Sequence, residues 1–238
     1  MLKEAIAYLL DLKKPEVVEV NGRNFSTLSL NEVAAEPSVS SFKVNSLSGL
    51  VEYIKSMFDT DRKLMVHVKS PTEVLVFDSL DATNNRRTYI EAEALLPKIL
   101  FGGYVERETF QIMLQANFCN NEDKEGLLRI VSSMAINDGT HVHDSGVTQT
   151  VTVKTGIDLG YEVIPERLTL MPFRTFHEVE QPASDFIFRT RDNRGVIECG
   201  LFEADGGAWE LNAMHFTATY IKENLATEIE KGSVLVIS

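Results

Sequence analysis

Three clusters in this 238-residue sequence bring together side chains able to do chemistry. The first is His141-x-His143-Asp144. Alternate histidines on an extended segment point the same way, and with a neighbouring carboxylate they could hold a divalent cation. The surrounding residues 137–146 are rich in Gly, Asp, Asn and Ser, and no second compact ligand cluster accompanies them. A solvated loop is therefore the plainer reading, and no metal site is assigned. The second cluster is Glu203-Ala204-Asp205-Gly206-Gly207-Ala208-Trp209. Its two carboxylates could ligate a cation or serve as acid and base. A strand ending in a Gly-Gly turn, with Trp209 anchoring a final helix, needs no such chemistry and is favoured. On that reading Trp209→Ala costs about 3–5 kcal/mol, as for a buried aromatic.

The third cluster is basic. Arg189 and Arg191 share one face of an expected strand, Arg194 sits in the following turn, and Arg174 belongs to the run Phe173–Glu180. Phe173, Phe176, Phe186 and Phe188 interleave with them. Guanidinium forks beside aromatic faces can grip phosphates and stack bases, so Arg174, Arg189, Arg191, Phe186 and Phe188 are the candidate binding residues. The competing reading has the phenylalanines inward and the arginines outward, paired with Glu178, Glu180 or Asp185. Cys119 and Cys199 have no catalytic partner nearby in sequence and read as structural thiols. The sequence holds no Walker loop, G-x-S-x-G elbow, paired C-x-x-C or H-E-x-x-H motif. No catalytic residue and no cofactor is assigned, and a binding role is expected rather than an enzymatic one.

Positioning these residues requires a mixture of helices and hairpins. Leu2, Ile6, Leu9 and Leu10 recur at helical spacing. Asn21-Gly22 between strand-like runs over residues 17–25 predicts a hairpin, and residues 31–39 read as loop. A short strand over 41–44 leads to a helix with Ser46 as N-cap and an apolar stripe of Leu47, Leu50, Val51, Ile54, Met57 and Phe58. Alternation predicts strands at 64–68 and 74–77 around Pro71, and another at 88–91. Helices are expected near 106–118 and 123–134, with Leu127, Leu128, Val131 and Met134 facing inward. Beyond 137–146 come strands at 147–154, 161–164, 168–171, 173–180, 186–191 and 196–202, then a helix near 212–225 and a short strand at 233–237. The fold class is α+β, with a mixed N-terminal half of hairpins and helices and a β-rich C-terminal half closed by a helix and a short strand. The regions are 1–136 and 147–238, or one continuous domain.

Charge narrows the partners. The 23 Lys and Arg against 35 Asp and Glu leave −12, so nucleic acid and anionic membrane are repelled at long range. No apolar run suits a signal peptide or a bilayer span, and two cysteines suit a reducing cytoplasm.

The stretch Pro172-Phe173-Arg174-Thr175-Phe176 through Gln181-Pro182 to Arg189, with Leu201–Trp209 downstream, resembles the YfdQ-like proteins of phages and prophages. Residues 46–55 and 89–97 are similar as well, so the resemblance covers most of the chain. It implies phage or prophage origin and a place in the bacterial host cytoplasm, and it implies no activity or catalytic residues. The expected function is a non-enzymatic, self-associating binding protein acting on a host or phage macromolecule or a small host molecule, for example as a host-defence inhibitor. The alternative is an accessory in phage DNA replication or recombination that contacts single strands through the arginine face. A homo-oligomer is expected, with open strand edges, the 234–237 run among them, covered by another copy.

Overall fold

The computed structural model describes Lys3 and residues 16–20, 23–26, 40–80, 85–134, 143–144, 149–155 and 158–238. The expected first helix and the loop at 31–39 lie outside the described residues, as do Asn21 and Gly22. Strands β1 (Val17–Val20) and β2 (Arg23–Ser26) pair antiparallel with Val20 opposite Arg23, the register of a two-residue hairpin loop. They belong to a unit spanning Met1–Val39, while Ser40–Ser238 forms a second compact unit.

In the second unit, β3 (Phe42–Val44) leads into α1 (Leu47–Ser56). The Ser46 hydroxyl caps α1 by accepting from the Gly49 N–H at 3.1 Å. Leu47, Leu50, Val51 and Ile54 form the buried stripe. Met57 and Phe58 do not continue it. The helix stops at Ser56, Met57 turns left-handed at φ 47°, and both side chains swing outward, to 68% and 84% exposure.

Strands β4 (Leu64–Ser70), β5 (Glu73–Asp78) and β6 (Thr88–Glu93) form an antiparallel meander. Next come β7 (Tyr104–Glu106), α2 (Arg107–Asn117) and α3 (Glu122–Ser133). Leu127, Val131 and Met134 are buried as the helical period predicts, and Leu128 is partly so. A three-stranded sheet follows, in the order β10-β9-β8, from β8 (His143–Asp144), β9 (Gln149–Thr155) and β10 (Asp158–Ile164). Strands β11 (Leu168–Leu170), β12 (Ser184–Asn193) and β13 (Val196–Glu203) precede α4 (Ala208–Asn224), α5 (Ala226–Glu230) and β14 (Val234–Ile237). The β12–β13 loop is Arg194-Gly195, both at positive φ (56° and 84°), as a type I′ turn requires. The fold is α+β.

Two larger sheets carry the unit, ordered β14-β4-β5-β6-β3 and β11-β12-β13-β7. Each draws strands from both sides of residues 137–146. β14 returns to pair parallel with β4, and β7 pairs with β13. Gly200 makes the second junction possible, because a Cβ there would lie 2.6 Å from the Gly103 carbonyl. Helices α1 and α4 cover one face of the five-stranded sheet with mostly aliphatic side chains. Helices α2 and α3 cover the four-stranded sheet around Phe110, Phe118, Phe186 and Phe188.

Residues 173–180 are not a strand. Pro172 makes one bridge to Phe118, and the chain then turns through residues 173–182. The Gln181 carboxamide takes the place of a neighbouring strand. Its Oε1 accepts from the Arg174 and Thr175 N–H groups at 3.0 and 3.2 Å, and its Nε2 donates to the Phe176 and Val179 carbonyls at 3.0 and 3.3 Å. Four backbone groups are satisfied by one side chain, which removes the need for a ladder.

Candidate functional site

Of the five candidate binding residues, the structure brings one guanidinium to one of the two rings, Arg174 to Phe186, and turns the other two arginines away. Phe186 and Phe188 are fully buried in the aromatic core, tilted or stacked against Phe101 and Phe110. Strand alternation turns Arg189 and Arg191 to the opposite face, so the phenylalanines supply them no stacking surface. Arg191 is exposed, donates to Glu198 Oε2 at 2.6 Å, and lies with its guanidinium carbon 4.2 Å from the Tyr104 ring centre. Arg189 is half-buried and donates to the Phe188 carbonyl at 3.0 Å.

Arg174 is buried, with its guanidinium carbon 5.7 Å from the Phe186 ring centre. Its partner is neither Glu178, Glu180 nor Asp185. One terminal nitrogen donates to Glu203 Oε1 at 2.8 Å, and the other donates to the Ser184 hydroxyl. That hydroxyl in turn donates to Asp205 Oδ2. Above the guanidinium sits the Trp209 ring, its centre 3.8 Å away. Glu178 is occupied at α1, where it accepts from the Ser48 N–H and hydroxyl at 3.0 and 3.1 Å. Asp185 accepts from Thr169 Oγ1 at 3.1 Å and stands 3.7 Å from Arg167.

Arg174, Ser184, Glu203, Asp205 and Trp209 therefore form one cluster at a junction. Thr175 donates to the Pro71 carbonyl at the β4–β5 turn, 2.6 Å away, and Phe176 enters the aliphatic core. Ser184 opens β12 and Trp209 lies in the first turn of α4. The Gly206 and Gly207 backbones, at φ 65° and 83°, make the sharp turn from β13 into that helix. Trp209 is half-buried rather than enclosed, so its truncation cost falls below that of a core aromatic. Helix α4 begins at Ala208, four residues earlier than its apolar period alone predicts.

The electrostatics favour cohesion over catalysis. Burial pulls Arg174 down to about 10, opposed by Glu203 and Asp205, so it stays charged at neutral pH with its charge matched locally. Burial pushes the Asp205 carboxyl up, but the Ser184 hydroxyl, the Gly207 N–H and Arg174 outweigh it and leave it below its ordinary value. A carboxylate held below its ordinary value is a weaker base toward Ser184 than a free one. Ser184 itself, fixed between an acceptor and a guanidinium, carries no sequence signature that would have singled it out.

His141 lies outside the described residues. His143 and Asp144 pair opposite Thr150 and Gln149. Among the described residues no three His, Cys, Asp or Glu side chains group so as to hold a metal ion. Burial pushes the Cys199 thiol up to about 12, and it raises Cys119 against a smaller opposing pull from Lys124. Lys124 was not anticipated. It is buried, and its ammonium donates to the Phe118 carbonyl at 2.6 Å and to the Gln115 carbonyl at 3.3 Å, closing the end of α2. Among the described residues no helix is long and apolar enough to cross a membrane.

Comparison with protein-family models, curated proteins and solved structures returned no match to this chain.

Proposed function

We propose that this chain is a self-associating, non-enzymatic binding protein of phage or prophage origin, akin to the YfdQ-like proteins. It works in the bacterial host cytoplasm by holding a host or phage macromolecule or a small host molecule, and inhibition of a host defence is one form of that role. The observation carrying this reading is the five-stranded sheet, whose described helices α1 and α4 pack on one face. The opposite face carries Met65, His67, Leu75 and Phe77 partly exposed, continuing into Leu235 and Ile237 at 58% and 38% exposure. A sheet face with several partly exposed apolar side chains is the kind of surface that suits a partner. The phage origin is supported by the residues quoted for the resemblance, whose most specific elements meet around Arg174.

A single-strand DNA role ranks below this reading. It loses the stacking rings of Phe186 and Phe188, and Arg191 is already matched by Glu198. Light scattering on the eluting protein, combined with capture from infected host lysate, tests the proposal. A monomer at every concentration, retained by no host component, overturns it. A gel shift on single strands that weakens with salt and disappears in Arg189→Ala/Arg191→Ala would put the DNA role first.

A further inference from the structure

The two larger sheets have four outer edges, and the structure treats them unequally. β11 is closed by side chains from the start of α3. Its central Thr169 N–H donates to Asp123 Oδ2 at 2.7 Å, and the Thr169 carbonyl accepts from Asn121 Nδ2 at 2.7 Å. β7 is three residues long and runs directly into α2. β3 is equally short and bears Lys43, which reaches back to Glu93 at 2.9 Å. Short strands, charges and side-chain cover are the usual devices against edge pairing. β14, one residue longer, carries no charge and, among the described residues, no side-chain cover. Val234-Leu235-Val236-Ile237 is uncharged and aliphatic, and no described strand pairs with its outer edge.

The register of β14 says which atoms that edge offers. Leu64 N–H donates to the Ser233 carbonyl at 2.8 Å, so Ser233 directs its backbone groups toward β4. By alternation Leu235 and Ile237 do the same, and Val234 and Val236 aim their N–H and C=O groups away from the sheet. Two outward residues flanking one inward residue make a self-complementary edge. Rotation about a two-fold axis through Leu235 sets Val234 opposite Val236 of a second copy, and Val236 opposite Val234. All four outward donors and acceptors per pair of strands are then matched, with Leu235 facing itself across the axis. Beside the strand runs a groove of about 370 Å³, lined by Ala226, Ile229, Val234 and Val236 and carrying one charge of each sign, Lys222 and Glu230. A chain of net charge −12 repels its own copy least where charge is locally balanced, and this groove carries one charge of each sign.

We infer that β14 joins two copies of this chain antiparallel, edge to edge, merging their five-stranded sheets into one with Leu235 on the symmetry axis. The inference rests on the self-association proposed above and supplies its surface. The pairing is isologous, so it closes at two copies rather than growing into a filament.

The experiment uses the full chain. Light scattering should give twice the 26.6 kDa chain mass for the unaltered protein. Leu235→Asp sets two carboxylates face to face and should weaken dimerisation about a hundredfold, with an unchanged circular dichroism spectrum because Leu235 is exposed. Leu235→Cys, treated with diamide to take up the two thiol hydrogens, should form a covalent dimer that the unaltered chain, with Cys119 and Cys199 in place, does not form. A dimer that survives Leu235→Asp and gives no cross-link through Leu235→Cys overturns this inference while self-association stands. A monomer of the unaltered chain at all concentrations overturns both.

Discussion

The two sheets solve the same packing problem with different materials. The five-stranded sheet buries Val66, Val68, Val74, Val76 and Ile90 under α1 and α4, with Tyr89 and Phe176 as its aromatic members. The four-stranded sheet buries Phe110, Phe118, Phe186 and Phe188 under α2 and α3. Its uncovered face carries its own closures, with Phe202 edge-on to Tyr104 and Arg191 over the same ring. Its edges are short, and one is capped by side chains. The aliphatic sheet is left with partly exposed apolar residues and with an edge, β14, that no described strand pairs. One sheet closes its own exposed face and the other leaves apolar surface exposed, and the Arg174 junction ties them together.

Core truncations give the sharpest test of this contrast. Phe188→Ala should cost about 3–5 kcal/mol, because a ring enclosed by other rings leaves a cavity that stiff neighbours fill poorly. Val76→Ala in the aliphatic sheet should cost about 2 kcal/mol. Denaturant melts of both variants measure the difference, and equal losses would erase the distinction between the cores. Gln181→Ala comes next, at about 2–3 kcal/mol, since it leaves the buried Arg174 and Thr175 N–H groups without their acceptor. If its transition also splits into two steps, Gln181 couples the sheets as well as satisfying a loop.

Trp209→Ala should cost about 1–2 kcal/mol, less than a core phenylalanine, because the half-buried ring gives up mainly its contact with Arg174. A loss as large as that of Phe188→Ala would place the junction on a par with the aromatic core. The smallest effect concerns pH. The Asp205 carboxyl lies below its ordinary 3.8 in the folded chain, so its contribution is complete above that value and fades as pH falls through the folded value. The melting-temperature gap between the unaltered protein and Asp205→Asn should therefore hold near neutrality and narrow below about pH 4. A gap that stays constant to pH 3 would show that Asp205 ionisation does not hold the junction.

What sequence reveals here follows the range of the interactions involved. Ser46 was legible as a cap because its partner is Gly49, and the turn holding Arg194 was legible because Gly195 tolerates the positive φ such a turn needs. The alternation of β12 was visible too, and it correctly opposed Phe186 to Arg189 once taken as a rule about faces. The segment 173–180 was not legible. Its aromatic and β-branched residues resemble a strand, and the groups replacing a ladder sit on Gln181, a side chain with no periodic signature. Arg174 likewise meets Glu203 across 29 positions, and no local spacing announces that pair. The parallel pairings of β14 with β4 and β3 with β6 were invisible for the same reason, since nothing in a short apolar run names its neighbour.

Those pairings also set the order of assembly. A nascent chain can close the β4–β5–β6 meander as soon as it emerges, because each strand lies next to its partner in sequence. The aliphatic sheet nevertheless remains unfinished until Val234 finds Leu64, and the aromatic sheet has already recruited β7 from before α2. The aliphatic sheet therefore stays incomplete during synthesis after every strand of the aromatic sheet has emerged. Such distant closures come late and slowly. For that interval the β4 edge lies bare, so a chaperone or a second nascent copy competes with β14 for the same backbone groups.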